Sequence, residues 1–257
     1  MHLDCAKALR MDVSSEAPIK NQWQPVMAEL RNVTQSTKDM HTSDAQTQFT
    51  GSYAEFRPDF DFEYHGYYTA ERQTIQDGII DKILGIQSRS GSVIEWLHEN
   101  RNYCLPKPTI HFTAGAMGVG KGFVIKTMQH KFNKKLPSAT DLVKIDIDAI
   151  RSVLPEWESF NEQNPATAAD RTQREAGYIA ELAQKAAMHH NQNILVDGSL
   201  RDHKWFSKVF AKIRQEHSTY KIKIIAVVAS KEQIEDNIAK RNAEGGRQTP
   251  LEVWKAS

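Results

Sequence analysis

The segment Gly115-Ala116-Met117-Gly118-Val119-Gly120-Lys121-Gly122 is the most informative part of the chain. It matches the pattern G-x-x-x-x-G-K, in which glycines let backbone N–H groups converge on phosphate oxygens while the lysine neutralises phosphate charge. The pattern normally continues with Ser or Thr, whose hydroxyl ligates Mg²⁺, but this chain has Gly122 there. An ordinary glycine-rich turn is the alternative interpretation. Because the segment leaves a strand pattern and enters a helix pattern, it favours a phosphate-binding loop whose residues all contact nucleotide.

Strand-like and helix-like segments alternate around this loop. Apolar and β-branched runs predict strands at 109–113, 142–147, 193–196 and 221–229. Helical patterns lie between them, and such alternation is typical of a mostly parallel sheet with helices on both faces. We therefore expect an α/β fold of the P-loop NTPase or kinase type, with three αβα layers.

The helix expected near residues 170–189 has two distinct faces. An apolar stripe is formed by Ile179, Leu182, Ala183 and Ala186. A more polar neighbouring face carries Arg171, Arg174, Glu175 and Tyr178. The stripe is expected to pack on the sheet.

The N-terminal part differs in composition. Residues up to about 50 are rich in Ser, Thr, Gln, Asn and Asp, so we interpret 1–68 as a flexible or loosely docked arm. After Thr69, isoleucines recur at helical spacing, and a second helical pattern follows near 93–97. We expect 69–106 to be a helical extension that packs on the core, and 107–257 to be the phosphate-binding domain. The helices over 69–99 could shield the site, add a substrate contact or simply complete the core.

The composition excludes several classes of protein. An apolar share of 40% and a charged share of 25% over 257 residues are typical of a soluble globular protein. A membrane span needs about 20 apolar residues, whereas the run 224–229 has only the length of a strand, so we expect no membrane association. The two cysteines, Cys5 and Cys104, show no metal-ligand spacing or disulfide framework, which favours the cytoplasm.

Charge is distributed unevenly along the chain. The net charge of +1 combines −5 over residues 1–106 with +6 over residues 107–257. Phosphate is therefore expected to bind in the basic half. The surplus is too small for a dedicated nucleic-acid surface, which is usually a strongly basic stripe.

Two carboxylates end the second predicted strand, where ligands bind in open α/β sheets. Strand alternation would place Asp146 and Asp148 on one side, facing the phosphates. A carboxylate there can accept the proton of a substrate hydroxyl that attacks the γ-phosphorus, which is general-base catalysis. The alternative is that one or both residues merely cap the next helix.

Further polar residues follow the third strand and the last helix. Asp197 and Ser199 are candidate contacts for Mg²⁺ or substrate, and Arg201 is a candidate anion clamp. Arg241 and Arg247 flank a Gly-Gly pair, which would let a mobile loop bring an arginine to the transferring phosphoryl group. Surface arginines are usually only solvated charges, and that interpretation remains the alternative.

Taken in order, the motifs G-A-M-G-V-G-K-G, I-D-I-D-A-I-R, R-E-A, V-D-G-S-L-R and G-R-Q-T-P resemble the zeta-toxin family of P-loop small-molecule kinases. The resemblance covers roughly residues 107–250. Members of this family use ATP or GTP to phosphorylate a hydroxyl of a small nucleotide-containing metabolite, such as a UDP-activated amino sugar or the adenosine ribose of NAD. The resemblance implies the same activity here, with ATP or GTP and Mg²⁺.

The resemblance also implies roles for individual residues. Lys121 would hold the nucleotide phosphates, and Asp146 would be the base that activates the substrate hydroxyl. Substrate contacts would come from Asp148, Arg151, Glu175, Asp197, Ser199 and Arg201. Asp197 would also hold the metal, and Arg241 and Arg247 would stabilise the transferred phosphate.

The chain departs from the family pattern at three points. Gly122 replaces the hydroxyl residue, and Asp197 replaces a longer glutamate of the bacterial toxins. The chain also stops seven residues after Pro250, where relatives continue, so we expect a domain shortened at its C-terminus. By analogy, the family implies a protein antitoxin or inhibitor as partner, and a cytoplasmic location or delivery into a host cytoplasm.

Two other functions compete with a small-molecule kinase. Gly122 and the short C-terminus fit a nucleotide-binding module without catalysis. A polynucleotide 5′-kinase would share the chemistry, but the near-neutral charge argues against a nucleic-acid substrate.

Overall fold

A computed structural model of the chain describes residues 41–42, 48–85, 107–131 and 142–243. They all belong to one of the two units into which the chain divides, the unit Gln35–Ser257. The helical pattern near 93–97 and the residue Arg247 lie outside the described residues.

The secondary structure alternates between strands and helices from residue 109 onward. The strands are β1 (His41–Thr42), β2 (Tyr67–Tyr68), β3 (Thr109–Ala114), β4 (Val143–Asp146), β5 (Ile194–Asp197) and β6 (Lys221–Ala226). The helices are α1 (Phe62–His65), α2 (Ala70–Ile83), α3 (Lys121–Lys131), α4 (Ile147–Ser152), α5 (Trp157–Gln163), α6 (Pro165–His189), α7 (His203–Glu216) and α8 (Lys231–Ala243). A 3-10 helix precedes them at Ala54–Asp59.

The strands β4, β5, β3 and β6 form one sheet in that order, and every neighbouring pair is parallel. The glycine-rich loop 115–120 follows β3, which lies inside the sheet between β5 and β6. All four strands predicted from apolar runs are present. Because parallel strands need crossover connections, the chain has helices between them. The short strands β1 and β2 pair separately and are antiparallel.

Helices cover both faces of this sheet. Phe112 of β3 contacts Phe206 and Phe210 of α7, with ring centroids 6.0 and 5.0 Å apart. Leu195 of β5 packs in a buried cluster that includes Ile125 of α3. Phe112 is in register with Val196, and successive residues of a strand point to opposite faces. Helices α7 and α3 therefore lie on opposite sides, and the predicted three-layer α/β architecture is confirmed.

Helix α6 carries the predicted apolar stripe. Asn164 caps its first turn by accepting a hydrogen bond from the Ala166 N–H at 3.1 Å, and Pro165 occupies the first helical position, where no N–H is needed. The four stripe residues Ile179, Leu182, Ala183 and Ala186 are all fully buried. Their burial confirms the helical pattern.

The N-terminal segment from residue 48 to residue 68 is packed, which contradicts the interpretation of all of 1–68 as a loose arm. Tyr53 and Phe56 are buried, and Arg57 is fully buried. The Arg57 guanidinium donates to Gln76 Oε1 at 2.9 Å and to the Tyr178 hydroxyl at 3.2 Å. It also pairs with the Asp77 carboxylate of α2 at 2.5 Å. Tyr53 and Phe56 bury apolar area, while Arg57 ties the segment to both α2 and α6.

None of the helices within the described ranges combines the length and the apolar character that a bilayer crossing requires.

Candidate functional site

The loop between β3 and α3 depends on its glycines. Gly115, Gly118 and Gly120 have φ angles of +139°, +83° and +91°, a region that side chains rarely adopt. A Cβ atom on Gly115 would lie 2.4 Å from the Val227 carbonyl oxygen, and one on Gly118 would lie 2.6 Å from Ile238 Cγ1. Larger residues are therefore excluded at both positions by backbone conformation and by close packing.

Neighbouring elements hold this loop in place. The Gly115 N–H donates to the Ser199 carbonyl at 3.2 Å, which ties the loop to the end of β5. Asn237 of α8 donates from Nδ2 to the Gly118 carbonyl at 2.8 Å. The Val119 side chain packs in a buried cluster with side chains of α8. These contacts fix the conformation of the loop, so the loop is preorganised.

Lys121 begins α3 and folds back over the loop. Its Nζ donates to the Gly115 carbonyl at 2.8 Å and to the Ala116 carbonyl at 3.1 Å. The first turn of a helix presents backbone N–H groups and the positive end of the helix dipole, so the N-terminus of α3 favours an anion. A Cβ atom on Gly122 would meet nothing within 4 Å, so the site has room for the hydroxyl residue that the pattern normally has.

The ends of β3 and β5 meet beside this loop. The Thr113 hydroxyl donates to Asp197 Oδ1 at 3.0 Å and accepts a hydrogen bond from the Gly198 N–H at 2.8 Å. Asp146, at the end of β4, is in register with Asp197. The parallel register therefore brings the two predicted acids to the edge of the sheet from which the loop emerges.

Lys144 lies between these two acids. Its Nζ is 2.9 Å from Asp146 Oδ2 and 3.8 Å from Asp197 Oδ2. We call these three residues the acid–lysine cluster. Lys144 was not among the residues predicted from sequence, although its position two residues before Asp146 on a strand places both side chains on the same face.

Asp146 also caps α4. Its Oδ1 accepts hydrogen bonds from the N–H groups of Asp148 and Ala149 at 3.1 and 3.2 Å. The capping alternative is therefore correct for one oxygen of Asp146, whereas the other oxygen is directed to Lys144. The predicted strand alternation of Asp146 and Asp148 is wrong, because β4 ends at Asp146 and Asp148 lies in the first turn of α4.

The cluster shifts the proton affinities of its members. Burial alone would raise the pKa of Asp146, but the hydrogen bond and charge of Lys144, together with the two backbone N–H donors, outweigh burial and hold this pKa below its usual value. Burial would likewise lower the pKa of Lys144, but its interactions with Asp146 and Asp197 raise it. Asp146 is therefore ionised at neutral pH, the state that a general base requires.

Two of the predicted substrate contacts are buried in internal ion pairs. Arg151 is buried, and its guanidinium contacts Asp148 and Gln173. Glu175 is fully buried and accepts hydrogen bonds from Arg72 Nε and Nη2, both at 2.6 Å. The structure contradicts an open substrate contact at Glu175, because both of its oxygens accept hydrogen bonds from Arg72 of α2.

The remaining predicted contacts lie at the ends of β5 and α8. The Ser199 hydroxyl accepts a hydrogen bond from the Arg201 N–H at 3.4 Å, and Arg201 is exposed. Leu200, between them, has a φ angle of +54°, so the backbone turns sharply there. Arg241 lies near the end of α8, whose first turns support the loop.

A cleft of about 210 Å³ opens at the acid–lysine cluster. Its lining comes from α2, β4, α4 and the residue after α4: Ile79, Lys82, Ile83, Lys144, Asp146, Ala149, Ile150 and Val153. A substrate contact from the helical extension was one of three roles left open by the sequence, but no sequence pattern indicated this cleft.

The donor set suits a metal held mainly by phosphate. No group of three or more His, Cys, Asp or Glu side chains in the described ranges is arranged to hold an ion alone. Mg²⁺ usually keeps several waters and binds one or two carboxylates plus substrate phosphates. Asp197, with Oδ1 already held by Thr113, can supply one such carboxylate.

Comparison with protein families gives one match. The sequence model of the zeta toxin family matches residues 95–257. A sequence comparison with curated proteins gave no match.

Two solved structures resemble this chain. The crystal structure of AvrRxo1-ORF1:-ORF2 with ATP has a TM-score of 0.51 and 14% identity, and the match covers 87% of this chain and 64% of that one. A structure from the PezAT chromosomal toxin-antitoxin system of the human pathogen Streptococcus pneumoniae has a TM-score of 0.47 and 18% identity, covering 62% of this chain and 65% of that one. This chain therefore spans less than two thirds of the length of either. The first likeness shows a shared fold.

Proposed function

The chain belongs to the zeta toxin family, and we propose that it is a kinase that transfers the γ-phosphate of ATP or GTP to a hydroxyl of a small nucleotide-containing metabolite. One observation carries the proposal: the preorganised loop and the acid–lysine cluster meet at one edge of the sheet, joined through Gly115, Ser199 and Asp197. Phosphate-binding groups and an ionised carboxylate are thereby close together, as phosphoryl transfer requires.

Nucleotide binding is the first step of the proposed reaction. The loop N–H groups and the N-terminus of α3 would bind the phosphates, and Lys121 would exchange its two carbonyl partners for phosphate oxygens. The AvrRxo1-ORF1:-ORF2 structure, which shares the fold, was determined with ATP. This similarity supports ATP as a nucleotide for this chain.

The transfer step uses Asp146. Its carboxylate takes the proton of the acceptor hydroxyl as that oxygen forms a bond to the γ-phosphorus, and the bond from the γ-phosphorus to the bridging oxygen breaks to release the nucleoside diphosphate. Mg²⁺, bound through Asp197 and the phosphates, would supply charge neutralisation at the phosphate oxygens. Arg201, Arg241 and Arg247 would stabilise charge on the transferred group.

A nucleotide-binding module without catalysis is the second candidate. It is favoured by Gly122, which removes a metal-ligating hydroxyl, and by the pairing of Asp146 with Lys144. Both candidates predict nucleotide binding. Only the kinase predicts transfer.

The test uses γ-labelled ATP or GTP with Mg²⁺ and separate pools of nucleotide sugars, dinucleotides and oligonucleotides. We expect wild type to label one of the first two pools, and Lys121→Ala and Asp146→Asn to lose at least about 100-fold in rate, as expected for loss of charge stabilisation or of a general base. Asp170→Asn, at an exposed carboxylate on α6, is the matched control and should retain activity. Nucleotide binding without label in any pool would favour the non-catalytic module, and labelled oligonucleotide would indicate a polynucleotide kinase.

The biological part of the proposal is a toxin or effector that acts in the cytoplasm and is restrained by a protein antitoxin or inhibitor. Family membership supports this role. Expression in bacteria should arrest growth, and Asp146→Asn should relieve the arrest. Unimpaired growth with active wild-type enzyme would count against toxicity while leaving the kinase assignment intact.

A further inference from the structure

The cleft at the acid–lysine cluster is lined mainly by apolar side chains. Ile79 and Ile83 of α2 and Ile150 of α4 are among them, and the polar groups are Lys82, Lys144 and Asp146. A cavity with apolar walls and a few converging polar groups is typical of a small-molecule site. One of the polar groups here is the carboxylate that we propose as the base.

The dimensions of the cleft limit what it can hold. Pockets that bury a whole drug-sized ligand have volumes of about 300–1,000 Å³, whereas this cleft has about 210 Å³. It has room for one ring system, but not for a complete nucleotide-containing metabolite. The rest of such a molecule would extend beyond the cleft.

The chemistry of the lining selects the kind of ring. Ile79, Ile83 and Val153 offer aliphatic surface, on which the face of a sugar or a base can pack. Asp146 accepts a hydroxyl proton, and Lys144 supplies a positive charge beside it. A ring with an apolar face and a hydroxyl on its edge matches this arrangement.

Helix α2 is rigidly held, so it can act as a fixed wall. Thr69 caps its first turn, accepting from the Arg72 N–H at 3.3 Å. The Arg72 side chain is bonded to the buried carboxylates of Glu156 and Glu175, and Ile80 is fully buried. A wall fixed in this way reduces the entropic cost of ordering a ligand. Helix α2 lies before the segment 95–257 that matches the family.

We propose that this cleft binds the hydroxyl-bearing ring of the acceptor, and that Ile79 and Ile83 of α2 determine which acceptors are phosphorylated. The inference rests on the proposed kinase function and deepens it. The segment that precedes the family-matched residues would then be part of the specificity apparatus, whereas the loop and the acids supply the chemistry.

The experiment compares Ile83→Trp with wild type in the labelled-nucleotide assay, using the pool member that wild type phosphorylates. Indole fills the cleft, so the KM for the acceptor should rise by about tenfold or more, equivalent to about 1.4 kcal/mol. The KM for nucleotide, and nucleotide hydrolysis without acceptor, should stay within twofold of wild type. Thr74→Trp adds the same bulk at an exposed position of α2 and should leave every constant unchanged.

A second variant distinguishes an effect on the cleft from a general folding defect. Ile83→Ala widens the cleft and should shift the preference toward acceptors with larger rings, while nucleotide KM is retained. An unchanged acceptor KM in Ile83→Trp, with wild type active, overturns the assignment of the cleft but not the kinase. Absence of transfer by wild type to every pool overturns the kinase and this inference together.

Discussion

A single substitution at Gly122 can test the proposed phosphate site. The space around its Cβ position is open to 4 Å, and it lies in the first turn of α3. Gly122→Ser should therefore fold, stabilise α3 slightly because serine is a better helix former than glycine, and supply a ligand for Mg²⁺. We expect nucleotide affinity in the presence of Mg²⁺ to increase several-fold, by about 1 kcal/mol, when measured by titration calorimetry.

Gly118→Ser is the matched control for this prediction. The same side chain there requires a φ angle of +83° and brings Cβ to 2.6 Å from Ile238 Cγ1, at a cost of about 1–3 kcal/mol in backbone strain alone. Nucleotide binding should be lost or strongly weakened. Equal affinities of the two variants, with and without Mg²⁺, would contradict the assignment of this loop to the phosphates.

Lys144 is one of the groups that lower the pKa of Asp146, and the sign of its effect can be tested. The Lys144 ammonium helps to hold the pKa of Asp146 below its usual value, so Lys144→Met should raise this pKa. Because the proposed base works only when ionised, the acid limb of the pH–rate profile should move to higher pH. Lys144→Arg keeps the charge and should move the limb much less. Identical acid limbs in wild type and Lys144→Met would exclude this role for Lys144.

His111 of β3 gives the fold its own pH dependence. Burial and the charge of Lys223 lower the pKa of His111 to about 4, and the side chain is 2% exposed. In the unfolded chain histidine titrates near 6.5, so the unfolded state takes up a proton before the native state does. Stability from the neutral form is therefore complete above about pH 6.5 and is lost as the pH falls toward 4.

The loss should reach about 3 kcal/mol, and urea unfolding of wild type and His111→Leu between pH 8 and pH 4 measures it. The free energy of unfolding of wild type should fall relative to that of the variant over this interval. Two curves that stay parallel would show that His111 does not titrate in the folded protein.

Among the elements, strands were easier to predict from sequence than their ends. Strand β3 was expected at 109–113 and is Thr109–Ala114, because its run of β-branched and apolar residues has few alternatives in a parallel sheet. Strand β4 was expected to extend to residue 147 but ends at Asp146. Asp146 accepts two backbone hydrogen bonds there, and such a local cap competes with strand continuation without changing the apolar pattern.

The contact between α2 and α6 depends on a buried ion cluster. Arg72 donates to Glu156 at 2.6 and 2.9 Å and to Glu175 at 2.6 Å, and all three residues are buried. Arg72→Met would leave two carboxylates buried without their cation, at a cost of about 3–5 kcal/mol. The midpoint of thermal or urea unfolding should fall accordingly.

Two further variants separate charge burial from simple loss of packing. Arg72→Met combined with Glu156→Gln and Glu175→Gln removes the uncompensated charges and should recover part of the loss. Lys212→Met breaks an exposed ion pair with Glu216 and should cost less than about 1 kcal/mol. If Arg72→Met were as mild as Lys212→Met, the cluster would not hold α2 on α6.

At the scale of the whole molecule, the sheet could be predicted from the sequence, but the packing of residues 48–85 over helix α6 could not. The polar face of α6 contains Glu175 and Tyr178, whose residue types suggested a solvent-exposed surface, yet both are buried. Tyr178 packs against Phe60, His65 and Tyr68 with ring centroids 5.1–5.2 Å apart. Polar residues that are buried by a distant segment give no periodic signal, because their partners are more than 100 residues away.

Because residues 48–85 pack over α6, we expect them to unfold together with the sheet. Lifting residues 48–85 away would expose Tyr53, Phe56 and Ile80, together with the face of α6 that they cover. Local opening would therefore expose a large apolar area and break the ion pairs of Arg57 and Arg72, so it should cost nearly as much as global unfolding. Native-state hydrogen exchange should give the slowest amides of α2 the same opening free energy as those of β3 and β5.

Arg72→Met distinguishes this cooperative behaviour from a segment that opens alone. If the molecule unfolds as one unit, the variant lowers the opening free energy of α2, β3 and β5 by equal amounts, because all three report the same global transition. If α2 amides exchanged at a lower free energy and they alone responded to the variant, residues 48–85 would open independently of the sheet. The wall of the proposed acceptor cleft would then form only when ligand binds, and the rigid-wall argument for selectivity by Ile79 and Ile83 would fail.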